Sequence, residues 1–127
     1  MLTPVNPPQV RIVVEACQPR PAKGQWLVRW RISNPGREPL RLEDAWVPHG
    51  RFRGEGHVPL TLTVEPGASS PVELNVSAEE PPGSVVENAY LILRSSAWRF
   101  FARMRIEFDV AGTPVPSVET LTTQSLQ

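Results

Sequence analysis

The feature that most constrains this chain is an alternation of apolar and polar residues at a period of two. It is longest over residues 98–110, where Trp98, Phe100 and Ala102 begin a series of apolar residues at every second position. Side chains on one face of a β-strand follow one another at this spacing, whereas a helix repeats at about 3.6 residues. The sequence shows no comparable helical repeat, and it therefore predicts an all-β fold.

Short turn segments rich in proline and glycine divide the alternation into seven predicted strands. Pro66-Gly67 and Pro81-Pro82-Gly83 are typical, because these residue types favour turns and interrupt regular structure. The predicted strands cover residues 9–18, 25–34, 39–47, 58–65, 71–77, 88–94 and 97–110. Seven short strands with frequent turns are typical of an antiparallel β-sandwich. The 15 prolines also argue against a helical bundle.

The length of 127 residues gives room for one domain of ordinary size. We predict an N-terminal extension over residues 1–8, the sandwich over 9–110, and a flexible tail or docking segment over 111–127. The tail is rich in Thr, Ser, Val and Pro, and Glu119 is its single charged residue. One or two amphipathic helical turns over 117–126 are the alternative for this tail.

The first eight residues lack the basic and apolar segments of a secretory signal peptide. The sequence also contains no run of 18 apolar residues, so we expect no membrane insertion. A cytoplasmic location is therefore expected, with a domain excised from a longer exported chain as the alternative.

Two segments have the turn chemistry of a known group of domains. Residues 31–42, RISNPGREPLRL, place Asn-Pro-Gly between two strands, and residues 64–76, VEPGASSPVELNV, place Pro-Gly in a hairpin. Both resemble segments of bacterial immunoglobulin-like and fibronectin type III-like β-sandwich modules, and the resemblance covers residues 9–110. It implies the fold and says little about function. The resemblance also implies a tyrosine corner at Tyr90. Because the chain has a single cysteine, it cannot form the disulfide that joins the two sheets of antibody domains.

The third predicted strand contains an acid in a position that should be buried. Asp44 shares the inward phase of Leu40, Leu42 and Trp46, and a buried carboxylate without partners is costly. We therefore predict a β-bulge over residues 43–45 that turns Asp44 outward, and that turns Trp46 outward with it. The other tryptophans are predicted to pack in the core, which argues against a flat sugar-binding platform. They are Trp26, Trp30 and Trp98.

Candidate catalytic residues are few, and we predict a non-enzymatic protein without a cofactor. Cys17 lies in the outward phase of the first predicted strand, and no histidine is paired with it in the sequence. The Gly-x-Ser-x-Gly signature of a nucleophilic serine is absent. Glu43 and Asp44 are adjacent on a strand and so point to opposite faces, and Glu79 and Glu80 lie in a Pro-rich loop.

One loop contains residue types that bind metals. His49, Glu55 and His57 offer two imidazoles and a carboxylate, which are ligands of zinc and other transition metals. Their spacing matches no established motif, and three glycines leave the loop without enforced geometry. We prefer an exposed loop with two unrelated histidines. A small metal- or ligand-binding domain that uses residues 49–57 is the alternative function.

The most informative segment is basic and aromatic. The chain has no net charge, yet residues 88–106 contain four arginines and no acid, whereas residues 54–93 contain six acids and neither Lys nor Arg. The outward phase of the last predicted strand places Arg99, Phe101, Arg103 and Arg105 on one surface. Arg94 of the preceding strand joins them.

Three explanations account for this basic surface. Charges on an edge strand block aggregation between sheets. Arginine and aromatic residues are also enriched in protein interfaces, where the partner is another protein or the acidic side of a second copy. Binding to nucleic acid is the third explanation, and the pI of about 6.7 argues against it. We predict a protein-binding or assembly module that uses this surface, and the first two explanations are compatible.

Overall fold

The computed structural model describes residues 6–48 and 50–126, which form eight strands and no helix. The strands are β1 (Arg11–Pro19), β2 (Gln25–Ser33), β3 (Leu40–Trp46), β4 (Val58–Val64), β5 (Ser69–Ser77), β6 (Val85–Arg94), β7 (Trp98–Phe108) and β8 (Pro114–Ser125). In this part of the chain no helix is long and apolar enough to pass through a bilayer.

The strands form two antiparallel sheets that pack on each other as a β-sandwich. The smaller sheet has the order β1-β2-β5, and the larger has the order β4-β3-β6-β7-β8. The predicted all-β sandwich is confirmed at this level, but it has eight strands instead of seven. The inner faces of the two sheets enclose a single apolar core.

The core lies where the predicted inward residues of β2 and β7 meet. Trp30 of β2 is fully buried, and its Nε1 donates a hydrogen bond to Sδ of Met104 on β7 at 3.4 Å. Every second residue of β7 from Phe100 to Phe108 is also buried. Burial of a large apolar side chain contributes about 1.5–3 kcal/mol to the stability of the fold. The buried side chains at every second position therefore stabilise the packing of the two sheets.

The tail that the sequence predicted to be flexible is instead the last strand of the sandwich. β8 pairs with β7 from Phe108–Pro114 to Trp98–Ser125. The two strands are joined by a turn in which Asp109 Oδ1 accepts hydrogen bonds from the backbone N–H groups of Ala111 and Thr113, both at 2.9 Å. The flexible tail, its helical alternative and the count of seven strands are therefore wrong.

A local irregularity in β8 hides its alternation. The pairing of β8 with β7 shifts between Arg103 and Met104, which lie opposite Thr120 and Val118. Glu119 is the extra residue at this bulge, so the inward side chains of Val118 and Leu121 are three residues apart instead of two. A spacing of three is typical of a helix face, and it obscured the strand in the sequence.

Two further bulges turn side chains away from the faces that a strict alternation would give them. In β3 the pairing shifts between Leu42 and Asp44, so Asp44 and Trp46 face outward on either side of the buried Ala45. The predicted bulge is confirmed. In β1 a shift after Val14 acts in the opposite direction and brings Cys17 inward.

Cys17 lies opposite the fully buried Val28 and packs against the core, contrary to its predicted outward position. Burial raises the pKa of the Cys17 thiol to about 11, because a thiolate is poorly solvated among apolar side chains. The thiol therefore stays protonated at neutral pH and is a poor nucleophile.

Candidate functional site

The predicted basic and aromatic surface lies on β7, which is an inner strand of the larger sheet. β7 pairs with β6 on one side and with β8 on the other. Protection of a sheet edge is therefore the wrong explanation for its arginines, because β8 already uses the free backbone groups of β7. The predicted facing of the side chains is correct. Arg99, Phe101, Arg103 and Arg105 alternate with buried residues and point away from the core.

The pairing register brings three large apolar side chains into one row across the outer face of this sheet. Trp46 of β3 lies opposite Ile92 of β6, and Ile92 lies opposite Phe101 of β7. All three residues are partly buried. We call these three residues the apolar row. Thr122 of β8 lies opposite Phe101 and continues the row towards the sheet edge.

Arginines lie on both sides of the apolar row. Arg94 and Arg99 pair across β6 and β7 on one side, and Tyr90 and Arg103 pair across the same strands on the other. Arg99 and Arg103 are two residues before and after Phe101, so they are its neighbours on the same face of the strand. The outer face therefore has an apolar centre between two positions of positive charge.

Two of the predicted arginines are balanced by carboxylates of the same chain. Arg94 Nη1 lies 3.0 Å from Glu43 Oε2, and Arg94 Nε lies 3.7 Å from Asp44 Oδ2. Arg105 Nη2 lies 3.3 Å from Glu107 Oε1. Both arginines were predicted to belong to the binding surface, and both are paired within the chain; Arg94 also lines one of the grooves described below.

Arg99 and Arg103 are different, since neither forms an ion pair with any acid in residues 6–48 or 50–126. In the same part of the chain, the Nε atoms of Arg103 and Arg105 are both buried and have no hydrogen-bond partner. A buried donor without a partner costs about 1–3 kcal/mol. Arg105 has a carboxylate beside its guanidinium group, whereas Arg103 forms no ion pair in the described residues. We call Arg99 and Arg103 the unpaired arginines.

His57 lies at the end of the apolar row, where the bulge in β3 provides its partners. Its Nδ1 atom is 3.0 Å from Asp44 Oδ2. Its ring stacks on Trp46, with ring centroids 4.3 Å apart and an angle of 25° between the planes. In the described part of the chain His57 forms hydrogen bonds only with Asp44. This histidine therefore braces the outward Trp46.

Of the other two residues of the alternative metal site, only Glu55 lies in the described part of the chain, and it does not contact His57 in a hydrogen bond or ion pair. Glu55 lines a small separate pocket together with Val47 and Asn75. His49 lies outside the described residues. Within the described ranges, the structure contains no group of three His, Cys, Asp or Glu side chains that could hold a metal ion.

Two shallow grooves meet on the apolar row. One has a volume of about 220 Å³ and extends towards His57 and Arg99, and the other has a volume of about 480 Å³ and extends towards Tyr90 and Thr122. Ile92 and Phe101 line both grooves. Together the grooves form a trough that crosses the strands from β3 to β8.

A further cavity, of about 700 Å³, lies at one end of the sandwich between the segments 19–26, 78–82 and 111–112. Its principal polar groups already have partners within the chain. Trp26 Nε1 donates a hydrogen bond to the carbonyl oxygen of Ala78 at 2.8 Å, and Lys23 Nζ lies 3.4 Å from Glu79 Oε1. The outer face of the larger sheet, with its unpaired arginines, is therefore the stronger candidate site.

The sequence indicated only part of this site. Tyr90 and Ile92 share the outward phase of Arg94, so the alternation could have placed them there. The outward position of Trp46 could be predicted only together with the bulge in β3. The stacking of His57 on Trp46 has no signal in the sequence, because it depends on the pairing of β3 with β4.

No family model, curated protein or solved structure matches this chain. The function is therefore inferred from the geometry of the site itself.

Proposed function

We propose that the chain is a non-enzymatic protein-binding or assembly module and that it uses the outer face of β7. One observation carries the proposal. Phe101 lies partly exposed at the centre of an inner strand, between two arginines that have no acidic partner in the described residues. Aromatic residues and arginines are enriched in the centres of protein interfaces, and carboxylates are depleted there.

We also propose that the sandwich is of the immunoglobulin-like type. In that fold the first, second and fifth strands share one sheet, and the third, sixth and seventh share the other. The strand order of this chain follows this division. It differs in that β4 pairs with β3 and that β8 enlarges the second sheet. Tyr90 also lies on the outer face opposite Arg103, away from the position of a tyrosine corner.

The charges favour a protein partner over a nucleic acid. Proteins that bind nucleic acids are usually strongly basic, whereas this chain has no net charge. An apolar centre with only two unpaired arginines fits a protein surface that is acidic and partly apolar.

A different protein fits better than the acidic side of a second copy. The acids in residues 54–93 were candidates for contacting the arginines of a second molecule, but several are neutralised within their own chain. Glu73 pairs with Arg29 at 3.5 Å, and Glu80 pairs with Arg51 at 2.9 Å. Of the six acids in this segment, Glu55 and Glu65 form no ion pair within residues 6–48 and 50–126, so a second copy offers few free carboxylates to Arg99 and Arg103.

The test compares two double variants of the whole chain. Phe101→Ala with Arg103→Ala removes the centre of the proposed surface. Val13→Ala with Arg11→Ala is the matched control, because these residues are exposed on β1 of the other sheet. We expect both variants to fold, and only the first to lose partners captured from an extract of the native cell.

Circular dichroism and thermal unfolding verify that both variants are folded. Light scattering measures self-association in parallel, so that a second copy would be recognised as the partner. If the Phe101 and Arg103 variant is folded and retains both capture and assembly state, the proposed function is wrong.

A further inference from the structure

The trough on the larger sheet has dimensions that select one kind of occupant. The apolar row and Thr122 span four neighbouring strands from β3 to β8. Neighbouring strands are about 4.8 Å apart, so the row is about 14 Å long. An α-helix rises about 1.5 Å per residue, and nearly three helical turns would therefore lie along it.

The unpaired arginines lie on either side of Phe101 along β7; Arg99 lines the smaller groove, whereas Arg103 lines neither. Arg99 and Arg103 are four residues apart on β7, which corresponds to about 13 Å in a strand. An α-helix with its side chains is about 10–12 Å across. A helix that crosses β7 over Phe101 would therefore pass between the two guanidinium groups, with one on each side.

We propose that this trough binds an amphipathic helix of a partner protein, with acidic residues along both borders of its apolar face. The inference rests on the proposed function and specifies the partner. Apolar residues of the helix, three and four positions apart, would contact Trp46, Ile92 and Phe101. Asp or Glu residues on the two borders would pair with Arg99 on one side and with Arg103 on the other.

Other occupants fit the surface less well. An extended segment along β7 would cover Phe101 and the arginines but leave Trp46 and Ile92 exposed. The same face of a second copy would place unpaired arginines opposite unpaired arginines, and such like-charge contacts oppose binding. A helix across the strands covers the whole apolar row and meets both charges.

The test uses synthetic peptides of about 14 residues, long enough to cover the apolar row with a margin at each end. The first peptide places Leu on one face of a helix and Glu along both borders of that face. The second has the same composition with the order shuffled so that the faces are lost. The third replaces each Glu by Gln. Fluorescence anisotropy with the whole chain measures the three affinities.

We expect the first peptide to bind and to become helical by circular dichroism, and the other two to bind at least about tenfold more weakly. Phe101→Ala should weaken the first peptide by about tenfold or more. Arg99→Gln and Arg103→Gln should each weaken it by about two- to fivefold, with a smaller effect at high salt. Arg11→Gln, which changes an exposed arginine of the other sheet, should have no effect.

Equal binding of the ordered and shuffled peptides would overturn the inference, as would a single-stranded oligonucleotide that displaces the first peptide. If none of the peptides binds but the Phe101 and Arg103 variant loses its cellular partner, the surface binds a partner that is not an amphipathic helix. The helix proposal is then wrong and the proposed function stands. If that variant loses neither the peptide nor the partner, both proposals are wrong.

Discussion

The outer faces of the two sheets use arginine in different ways. On the smaller sheet, Arg29 of β2 lies opposite Glu73 of β5, and their charged atoms are 3.5 Å apart. Arg31 of the same strand lies 2.8 Å from Glu15 on β1. On the larger sheet, Arg99 and Arg103 occupy equivalent outward positions without any acidic partner in the described residues. Arg29 and Arg31 are therefore paired within the smaller sheet, whereas Arg99 and Arg103 form no ion pair within the described part of the larger one.

Amino-acid composition alone therefore does not show which outward arginines are paired within the chain. Both faces combine outward arginines with apolar residues nearby, and only the pairing register separates them. Arg29 has an acid directly across the strand pair, as the alternation predicts. Arg99 has Arg94 across one pair and Gln124 across the other, so no neighbour neutralises it.

The largest expected effect follows from removal of β8, which is a strand of the larger sheet and also contacts β1 of the smaller one. A chain that ends after Thr113 loses the partner strand of β7 and the packing of Val118 and Leu121. We expect a loss of about 3–5 kcal/mol or more, a large share of the roughly 5–15 kcal/mol that stabilises a domain. Urea unfolding followed by tryptophan fluorescence measures this loss.

Glu119→Gln serves as the control for the truncation, because it changes an exposed residue at the bulge of β8 and leaves the pairing intact. Its unfolding midpoint should match that of the original chain. A truncated chain as stable as the full one would mean that β8 is not part of the cooperative sandwich. β7 would then be the edge strand of the larger sheet.

The second prediction concerns the bulge in β1 of the smaller sheet, which turns Cys17 inward. The bulge in β3 of the larger sheet has the opposite effect and turns Asp44 outward. Because the pKa of Cys17 is raised to about 11, the folded chain should hold about a hundredfold less thiolate at pH 8 than the unfolded chain. The rate of reaction with an aromatic disulfide reagent, measured with and without urea, reports this ratio.

The sign of the pH effect follows from the same burial. Above the ordinary thiol pKa of 9.0 the unfolded chain loses the proton of Cys17 while the folded chain keeps it. Stability should therefore fall as the pH rises from about 9 towards 11, and Cys17→Ala should remove that part of the fall. Equal reactivity of the folded and unfolded chains would place Cys17 outside, as the alternation had suggested.

These bulges explain how much of the molecule was predictable. The regular alternation of β2 and β7 predicted the core and the facing of Phe101, because one phase of the strand is buried throughout. The bulge at Asp44 was predictable from the cost of a buried carboxylate. The bulges beside Ala16 and at Glu119 carry no such cost in the sequence, so Cys17 was placed on the wrong side and β8 was missed.

The candidate site was predictable to the extent that it follows one strand. Phe101 and its flanking arginines could be predicted from β7 alone. Whether each arginine is paired depends on which strands lie beside it, and this is a long-range property. Arg94 was predicted to belong to the basic surface, and the pairing of β6 with β3 places Glu43 and Asp44 beside it.

The third prediction sets one arginine from each face against the other. Arg29→Gln should lower the free energy of unfolding by about 0.2–1 kcal/mol, because it breaks the cross-strand pair with Glu73. Arg103→Gln should cause no loss, because it breaks no ion pair and removes a buried Nε donor that has no partner in the described residues. Urea midpoints of the two variants give the comparison, and an equal loss in both would remove the distinction between the faces.

The smallest effect is expected from substitution of Glu15, the acid that pairs with Arg31 on the smaller sheet. The hydrogen bond from Arg31 lowers the pKa of the Glu15 carboxyl below its ordinary value, although the group is exposed. The unfolded chain therefore takes up this proton at a higher pH than the folded chain. The stabilisation is complete above the unfolded pKa and is lost as the pH falls through the lowered folded value.

Glu15→Gln should therefore match the original chain in the acid limit and be slightly less stable at neutral pH. Urea midpoints measured from pH 3 to pH 7, in parallel with Arg103→Gln, test this expectation. Arg103→Gln should keep the pH dependence of the original chain, since no carboxylate pairs with Arg103 in the described residues. If its profile instead follows that of Glu15→Gln, an acid does pair with Arg103 in solution, and its charge is not free to meet a partner.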